Sequence, residues 1–389
     1  MKSYLLITAV VSLSVCFSVG LFNYVIDPYA IYHYKGAAPE KISRIDQFSY
    51  MRITKPWRMR QASPKEVVIG TSRTARVSPK TVWDKKNSYN LSVPGMTMYE
   101  MSRFIEHANA NEHLNKLMIG LDFEAFISPV PRVQSGFNER RLARTTDDLT
   151  RPPYVWQIGV DAAQTLLSLP SLALSLSAVF GTAKVPRIYY GDGTWKSNAT
   201  QLRARGAFVY VGKTTIFDRR NESMELDVNF EILSDTLRFA HRQGIETRLF
   251  ITPEHIFMID LWERLGFGDL WREFHRRLVA VNNTVAIEMG ANPFPIFVFN
   301  AVSGVVDEPV YMAKNAGKSW FEDGAHFRKR LGDKIMEATW TDRDAFGARL
   351  DDHSVEAYLV DVEKIRHNFL ASNAELTARL RRAISPDLE

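Results

Sequence analysis

A doubly wound, mostly parallel α/β sheet is the fold class that this 389-residue chain predicts. Short apolar runs rich in β-branched and aromatic residues recur at 66–70, 88–92, 116–123, 246–252 and 295–299, as in strands buried on both faces. Apolar residues at helical spacing fill the intervals, most clearly at 96–110, 226–244, 256–280 and 327–338. Strand and helix therefore alternate along the chain, and parallel neighbours need such crossover connections.

Taken in order, residues 3–26 come first and contain no charged side chain, a run long enough to span a bilayer as a helix. Lys2 and the terminal amine precede it, so the positive-inside rule leaves the amino end in the cytoplasm and carries everything after Asp27 across the membrane. Residues 1–27 are thus read as an anchor in a bacterial inner membrane, with the globular part in the periplasm. A cleaved signal peptide is the rival reading, with Ser18-Val19-Gly20 as a small-x-small site. The apolar run continuing to Ile26 favours a retained anchor. Cys16 is read as an apolar residue of that helix, because Val15 is too large to precede a lipoprotein cysteine. It is the single cysteine, so no disulfide and no thiolate metal site is available. An aromatic collar at 24–34 surrounds Asp27-Pro28-Tyr29, as expected where a chain leaves the bilayer.

The main domain is expected over 28–340. The gap between the third and fourth strands is too long for one crossover and holds an insertion at about 128–221. Within it, 154–180 is apolar and interrupted by Pro170. It is read as a buried helix pair, a helical hairpin over the site mouth, or a patch touching the membrane or a membrane partner. Residues 184–212 carry Tyr189, Tyr190, Trp195 and Tyr210, which either pack or stack on sugar faces. The tail at 341–389 turns helical and charged, and packs on the domain or on a partner.

Chemistry concentrates at two places. Gly70-Thr71-Ser72-Arg73 follows the first strand, and Asp323-Gly324-Ala325-His326 stands near the far end of the chain. A serine hydroxyl needs an imidazole to take its proton and a carboxylate to hold that imidazole in the right tautomer. A strand ending at Gly-Thr-Ser presents Ser72 at the carboxyl edge of the sheet, where open α/β folds bind ligands. A helix starting at or just after Ser72 would aim backbone N–H groups at an oxyanion. The three-residue offset lets Asp323 reach Nδ1 of His326 while Nε2 faces the serine. No Gly-x-Ser-x-Gly elbow occurs in the chain, which argues against the α/β-hydrolase arrangement.

This constellation resembles the SGNH (GDSL-like) hydrolase superfamily, through the segments 70–73, 90–95, 120–126 and 321–333. The resemblance implies a three-layer α/β/α, flavodoxin-like fold and acyl-ester chemistry, with Ser72, His326 and Asp323 catalytic. The family's second block supplies a glycine N–H to the oxyanion, and Asn90-Leu91-Ser92-Val93-Pro94-Gly95 offers Gly95 in that place. The third block normally supplies an asparagine, where this chain has Asp122. An ionised Asp122 would repel an oxyanion and a protonated one would donate to it. Other readings of Asp122 are a contact to a sugar hydroxyl, an orienter of Arg73, or a strand-end cap. Within the superfamily the chain is similar to the membrane-anchored cell-envelope branch. The D-alanyl transfer proteins of lipoteichoic acid biosynthesis share the anchor and the motif order, and the alginate O-acetylation proteins share the chemistry with the order reversed. That similarity implies polysaccharide as substrate and a membrane-bound O-acyltransferase as partner.

Two further residues at the carboxyl edge are candidates for binding. Arg73 either clamps an anionic group or lies on a solvated face. His255, after the fourth strand, is read as a substrate contact or alternative base beside Ser72, or as a loop histidine bonded to backbone. The nine histidines are scattered without metal-ligand spacing, so no metal and no cofactor is implied. The formal charge of +5 comes from dispersed Lys and Arg, a pattern that suits an anionic surface or polymer and not nucleic acid. The leading expectation is a periplasmic acyl esterase or O-acyltransferase. The alternative is a catalytically inactive scaffold or glycan-binding component of an exopolysaccharide export complex.

Overall fold

A computed structural model of the chain describes residues 1–33, 47–127, 133–182, 187–197, 204–219, 226–310, 319–341 and 346–388. Tyr34, Ser128, Lys184 and Asn221, which bound several of the expected segments, lie outside the described residues.

Helix α1 (Lys2–Ile26) is long and apolar enough to cross a membrane, as a retained span or as a signal sequence. Asp27 ends it in the left-handed conformation, φ 45°. Its carboxylate then accepts from the backbone N–H groups of Ile31, Tyr32 and His33, each at 2.8 Å, so the collar is a built turn. Helix α2 (Met51–Ala62) follows and leads into the sheet.

Strands β1 (Glu66–Ile69), β2 (Ser88–Asn90) and β3 (Lys116–Leu121) flank α3 (Met98–Asn111), which opens on a capping box between Thr97 and Glu100. After the short α4 (Phe123–Phe126) come α5 (Pro152–Leu166), α6 (Leu169–Val179), a hairpin of β4 (Arg187–Tyr189) with β5 (Trp195–Ser197), and α7 (Ala204–Val211). The α/β alternation resumes with α8 (Asp227–Arg242), β6 (Glu246–Ile251), α9 (Ile256–Arg264), α10 (Gly268–Glu288), β7 (Ile296–Val298) and α11 (Lys329–Thr341). Strand β8 (Ala348–Leu350) and helices α12 (Val355–Ser372) and α13 (Ala374–Ile384) close the chain.

The main sheet has six strands in the order β2-β1-β3-β6-β7-β8, parallel except for β8. The five parallel strands are thus doubly wound, and the order reverses between β1 and β3, the place where such sheets open a crevice at their carboxyl ends. Residues alternate between two cores. Val67, Ile69, Leu117 and Leu249 point to one face, covered by α3, α8, α9 and α10. Val68, Met118, Phe250 and Phe297 point to the other, covered by α11 through Leu331 and Ile335.

The five expected strands are present, shorter by up to two residues. The single helix expected over 256–280 is broken at Gly266, φ +80°, giving α9 and α10. Edge strand β8 was not expected, because Ala-Arg-Leu carries no pattern of its own and forms by pairing with the open side of β7.

The tail packs on the domain. Asp260 on α9 is fully buried and accepts from Arg366 of α12 at 3.0 Å and from Arg381 of α13 at 2.6 Å. Asp260→Ala removes the carboxylate partner of buried Arg381 and one of the two of Arg366, which keeps Glu363, and is expected to cost roughly 3 kcal/mol. Urea unfolding should register that loss, and limited proteolysis should release the α12–α13 segment first.

Candidate active site

Ser72 sits in the turn that leaves β1 at the switch point. Gly70 follows β1 and Gly120 is the penultimate residue of β3, and a Cβ on either would run into the Thr74 side chain. The two glycines therefore let the chain fold tightly back across the strand ends. The buried amide of Asn90 pins this turn, donating to the carbonyls of Thr74 at 2.9 Å and Val77 at 2.8 Å. The expected helix after Ser72 is absent. A single 3-10 turn, Thr74–Arg76, stands there, so the N–H groups next to Ser72 are those of a turn and not of a helix N-terminus.

The second half of the site is a loop held from three sides. The Glu308 carboxylate accepts from the N–H groups of Trp320 and Phe321. The His255 N–H donates to the Gly324 carbonyl at 2.8 Å. Asp323 Oδ1 accepts from the N–H groups of Ala325 at 3.0 Å and His326 at 2.7 Å. Helix α11 then packs so closely on the Ser72 turn that a Cβ on Gly332 would strike the Arg76 backbone.

Across this junction Ser72 Oγ lies 2.9 Å from His326 Nε2, and His326 Nδ1 lies 3.0 Å from both carboxylate oxygens of Asp323. With the proton on Nδ1 donated to Asp323, Nε2 is free to accept from the serine hydroxyl. Burial alone would push the Asp323 carboxyl up. His326 and the two backbone N–H donors outweigh it and hold the group below the ordinary carboxylate range. Gly95, φ +61°, lines the same cleft. Among the described residues neither the Ser72 N–H nor the Gly95 N–H has a protein partner.

Asp122 is turned into the protein. Its oxygens accept from the hydroxyls of Thr71 and Thr252, and Arg73 lies 3.8 Å away. It makes no side-chain cap to the following α4, and of the expected readings its place beside Arg73 is nearest to the orienting one. Arg73 is buried, not on a solvated face, and its guanidinium meets Glu254 at 2.7 Å and Glu124. Burial opposes its charge, and Glu124, Glu254 and Asp122 outweigh that opposition. Burial pushes Glu254 upward against the pull of Arg73, with Glu124 and Asp122 adding to the rise. One cation thus sits among three carboxylates.

His255 does not join Ser72. It is fully buried under the Asp323 loop, with Nδ1 accepting from the Phe257 N–H at 3.2 Å and Nε2 donating to the Glu308 carbonyl at 2.8 Å. Burial lowers it to about 4, as it does His107 and His275. All three are neutral in the fold. Because their folded values lie below the ordinary 6.5, the unfolded chain binds more protons between these limits, and stability is lost as pH falls from about 6.5 toward 4. Each contributes roughly 3 kcal/mol of that loss when complete. Thermal melts should therefore show the contribution of these three histidines lost as pH falls below ~6.

Ser72, Gly95 and His326 line two cavities. The smaller, about 200 Å³, reaches Arg73, Asp122 and Glu124. The larger, about 500 Å³, is walled by Phe48, Arg76, Arg187, Trp195 and Tyr210. Of the aromatic residues expected in the insertion, Tyr189 and Trp195 are packed, Trp195 with the Arg76 guanidinium 3.8 Å above its ring. Tyr210 stands exposed in the cavity wall. Sequence reasoning missed Asn90 and Arg76 as positioning groups, and Glu124 and Glu254 as partners of Arg73. Arg76 ties the Ser72 carbonyl (2.6 Å) to Glu322 (2.9 Å) beside the Asp323 loop. Comparison of the chain with protein-family models and with curated proteins finds no match.

Proposed function

We propose that the chain is a membrane-anchored, SGNH-like serine acyl esterase or O-acyltransferase of the bacterial inner membrane, acting on a cell-envelope or exported polysaccharide from the periplasmic side. The observation that carries this reading is the Ser72–His326–Asp323 relay, assembled at hydrogen-bond distances from opposite ends of the chain. The doubly wound sheet covered on both faces suits the three-layer architecture of that superfamily, and α1 suits the anchor.

The chemistry follows from the geometry. His326 Nε2 takes the Ser72 proton as Oγ attacks the acyl carbonyl, and the N–H groups of Ser72 and Gly95 receive the oxyanion. Collapse returns that proton to the departing alcohol and leaves an acyl-serine. Water or a sugar hydroxyl, deprotonated by His326, then attacks the acyl-serine and frees Ser72. The smaller cavity has the scale of a short acyl group. The larger one, with Tyr210 in its wall, has the scale and aromatic lining of a sugar subsite. A membrane-bound O-acyltransferase is the expected donor partner.

The scaffold reading draws on Asp122, which stands where a neutral amide donor is expected and leaves two N–H donors. Removing one donor costs roughly a hundred- to a thousand-fold, so the loss slows such a site without silencing it. Intact-mass analysis after exposure of the detergent-solubilised full chain to p-nitrophenyl acetate separates the two. The enzyme reading expects an acetyl adduct that disappears in Ser72→Ala; a chain that neither turns over nor carries the adduct belongs to the scaffold class.

A further inference from the structure

Helices α5 and α6 have their polarity reversed. The side chains they bury are mostly polar: Gln157, Asp161 and Thr165 on α5, Ser171 and Ser175 on α6. Those they expose are mostly apolar, with Trp156 72 % and Leu169 80 % exposed and Phe180, just past α6, 73 %; Gln164 is the polar exception. A helix on a water-soluble surface does the opposite. The pair is not a hairpin and lines neither cavity at Ser72; its axes bend by 48° at a two-residue break.

The buried polar stripe is fully engaged, which explains why it faces inward. Asp161 accepts from Arg141 at 2.5 and 2.8 Å and from Gln157 at 2.8 Å. Further along, the stripe docks on the exit end of α1. Asn23, fully buried, donates to the Leu166 carbonyl at 2.7 Å and accepts from Ser175 at 2.7 Å. Tyr29 and Tyr32, just past α1, bond Ser171 at 3.0 Å and Thr165 at 2.6 Å. Leu167 rests against Gly20. Helix α1 has 25 residues, about 37 Å at 1.5 Å per residue, against a hydrocarbon core of about 30 Å. A contact at Gly20 and Asn23 therefore falls at the level where the helix leaves the hydrocarbon.

We propose that the outward face of α5 and α6 is a second membrane-embedded element, seated in the acyl chains of the leaflet that α1 exits. The occupant is lipid, because the face is continuous with the bare apolar surface of α1 and the buried polar side chains from Gln157 to Ser175 are bonded inward. The bent pair is an interfacial insertion, not a span. With α1 it holds the catalytic domain in one orientation on the bilayer. This inference rests on reading α1 as a membrane helix.

Site-specific fluorescent labelling of the full chain in phosphatidylethanolamine–phosphatidylglycerol vesicles tests it. The native Cys16 reports α1. Leu169→Cys and Phe180→Cys, each in Cys16→Ser, report the pair, and Ile287→Cys, exposed on α10, reports water. A spin-labelled lipid should quench Leu169→Cys and Phe180→Cys severalfold more than Ile287→Cys. Quenching at Cys16 with positions 169 and 180 behaving like 287 overturns the second element and leaves the anchor standing. Quenching at 169 and 180 without quenching at Cys16 supports the second element and overturns the anchor. Protection of 169 and 180 in native membranes but not in vesicles would place a membrane protein on this face and overturn lipid as its occupant.

Discussion

Ser72→Ala is expected to lower turnover of an activated acyl ester by roughly a thousand-fold or more while leaving the fold intact. The side chain contributes one hydrogen bond, to His326 at 2.9 Å, and no packing that alanine would lose. Asp323→Asn is expected to fall by a comparable factor for a different reason. Asparagine can present its amide to His326 Nδ1, which favours the tautomer with the proton on Nε2, and that tautomer cannot accept from the serine. Because the three residues act as a unit, the double variant should be scarcely slower than either single one. Steady-state kinetics on the three proteins checks this. Additive losses would mean that Ser72 and Asp323 act separately.

Arg73→Ala is expected to be the most destabilising single change near the site, by roughly 3–5 kcal/mol. The guanidinium is buried beside Asp122, Glu124 and Glu254, and its loss leaves three carboxylates without a cation. The pH dependence of the defect identifies the cause. In the variant a buried carboxyl is raised further above its unfolded value, so the folded state binds the extra proton and stability falls as pH rises. The gap to wild type should therefore shrink between about pH 8 and about pH 5. Adding Glu254→Gln should recover part of the loss. A defect independent of pH and unrelieved by Glu254→Gln would mean that Arg73 matters through packing alone.

The sheet was legible in the sequence because each parallel strand is a short apolar run buried on both faces, and the Ser72 and Asp323 blocks lie at strand or loop positions that the pattern locates. What was illegible depended on partners distant in sequence. Helix α2 has Pro56 in its interior and no clean apolar stripe. Strand β8 exists only as a neighbour of β7. His255 looked like a site residue because it follows β6 at the carboxyl edge. Phe208, Phe321 and Phe369, from three separate segments, enclose its ring and turn it into a support for the Asp323 loop. Arg73 adjoins Ser72 in sequence, yet Glu124 and Glu254 draw it beneath the turn. The polarity of α5 and α6 was likewise hidden, since their apolar content is visible in sequence and its outward direction is not.

If Ser72 is an activated nucleophile, a fluorophosphonate probe reacts with it in the detergent-solubilised full chain. The expected result is a single adduct that maps to the peptide bearing Ser72, is absent from Ser72→Ala and is strongly reduced in Asp323→Asn. A folded chain whose Ser72 stays unmodified under conditions that fully label a control serine esterase would contradict it.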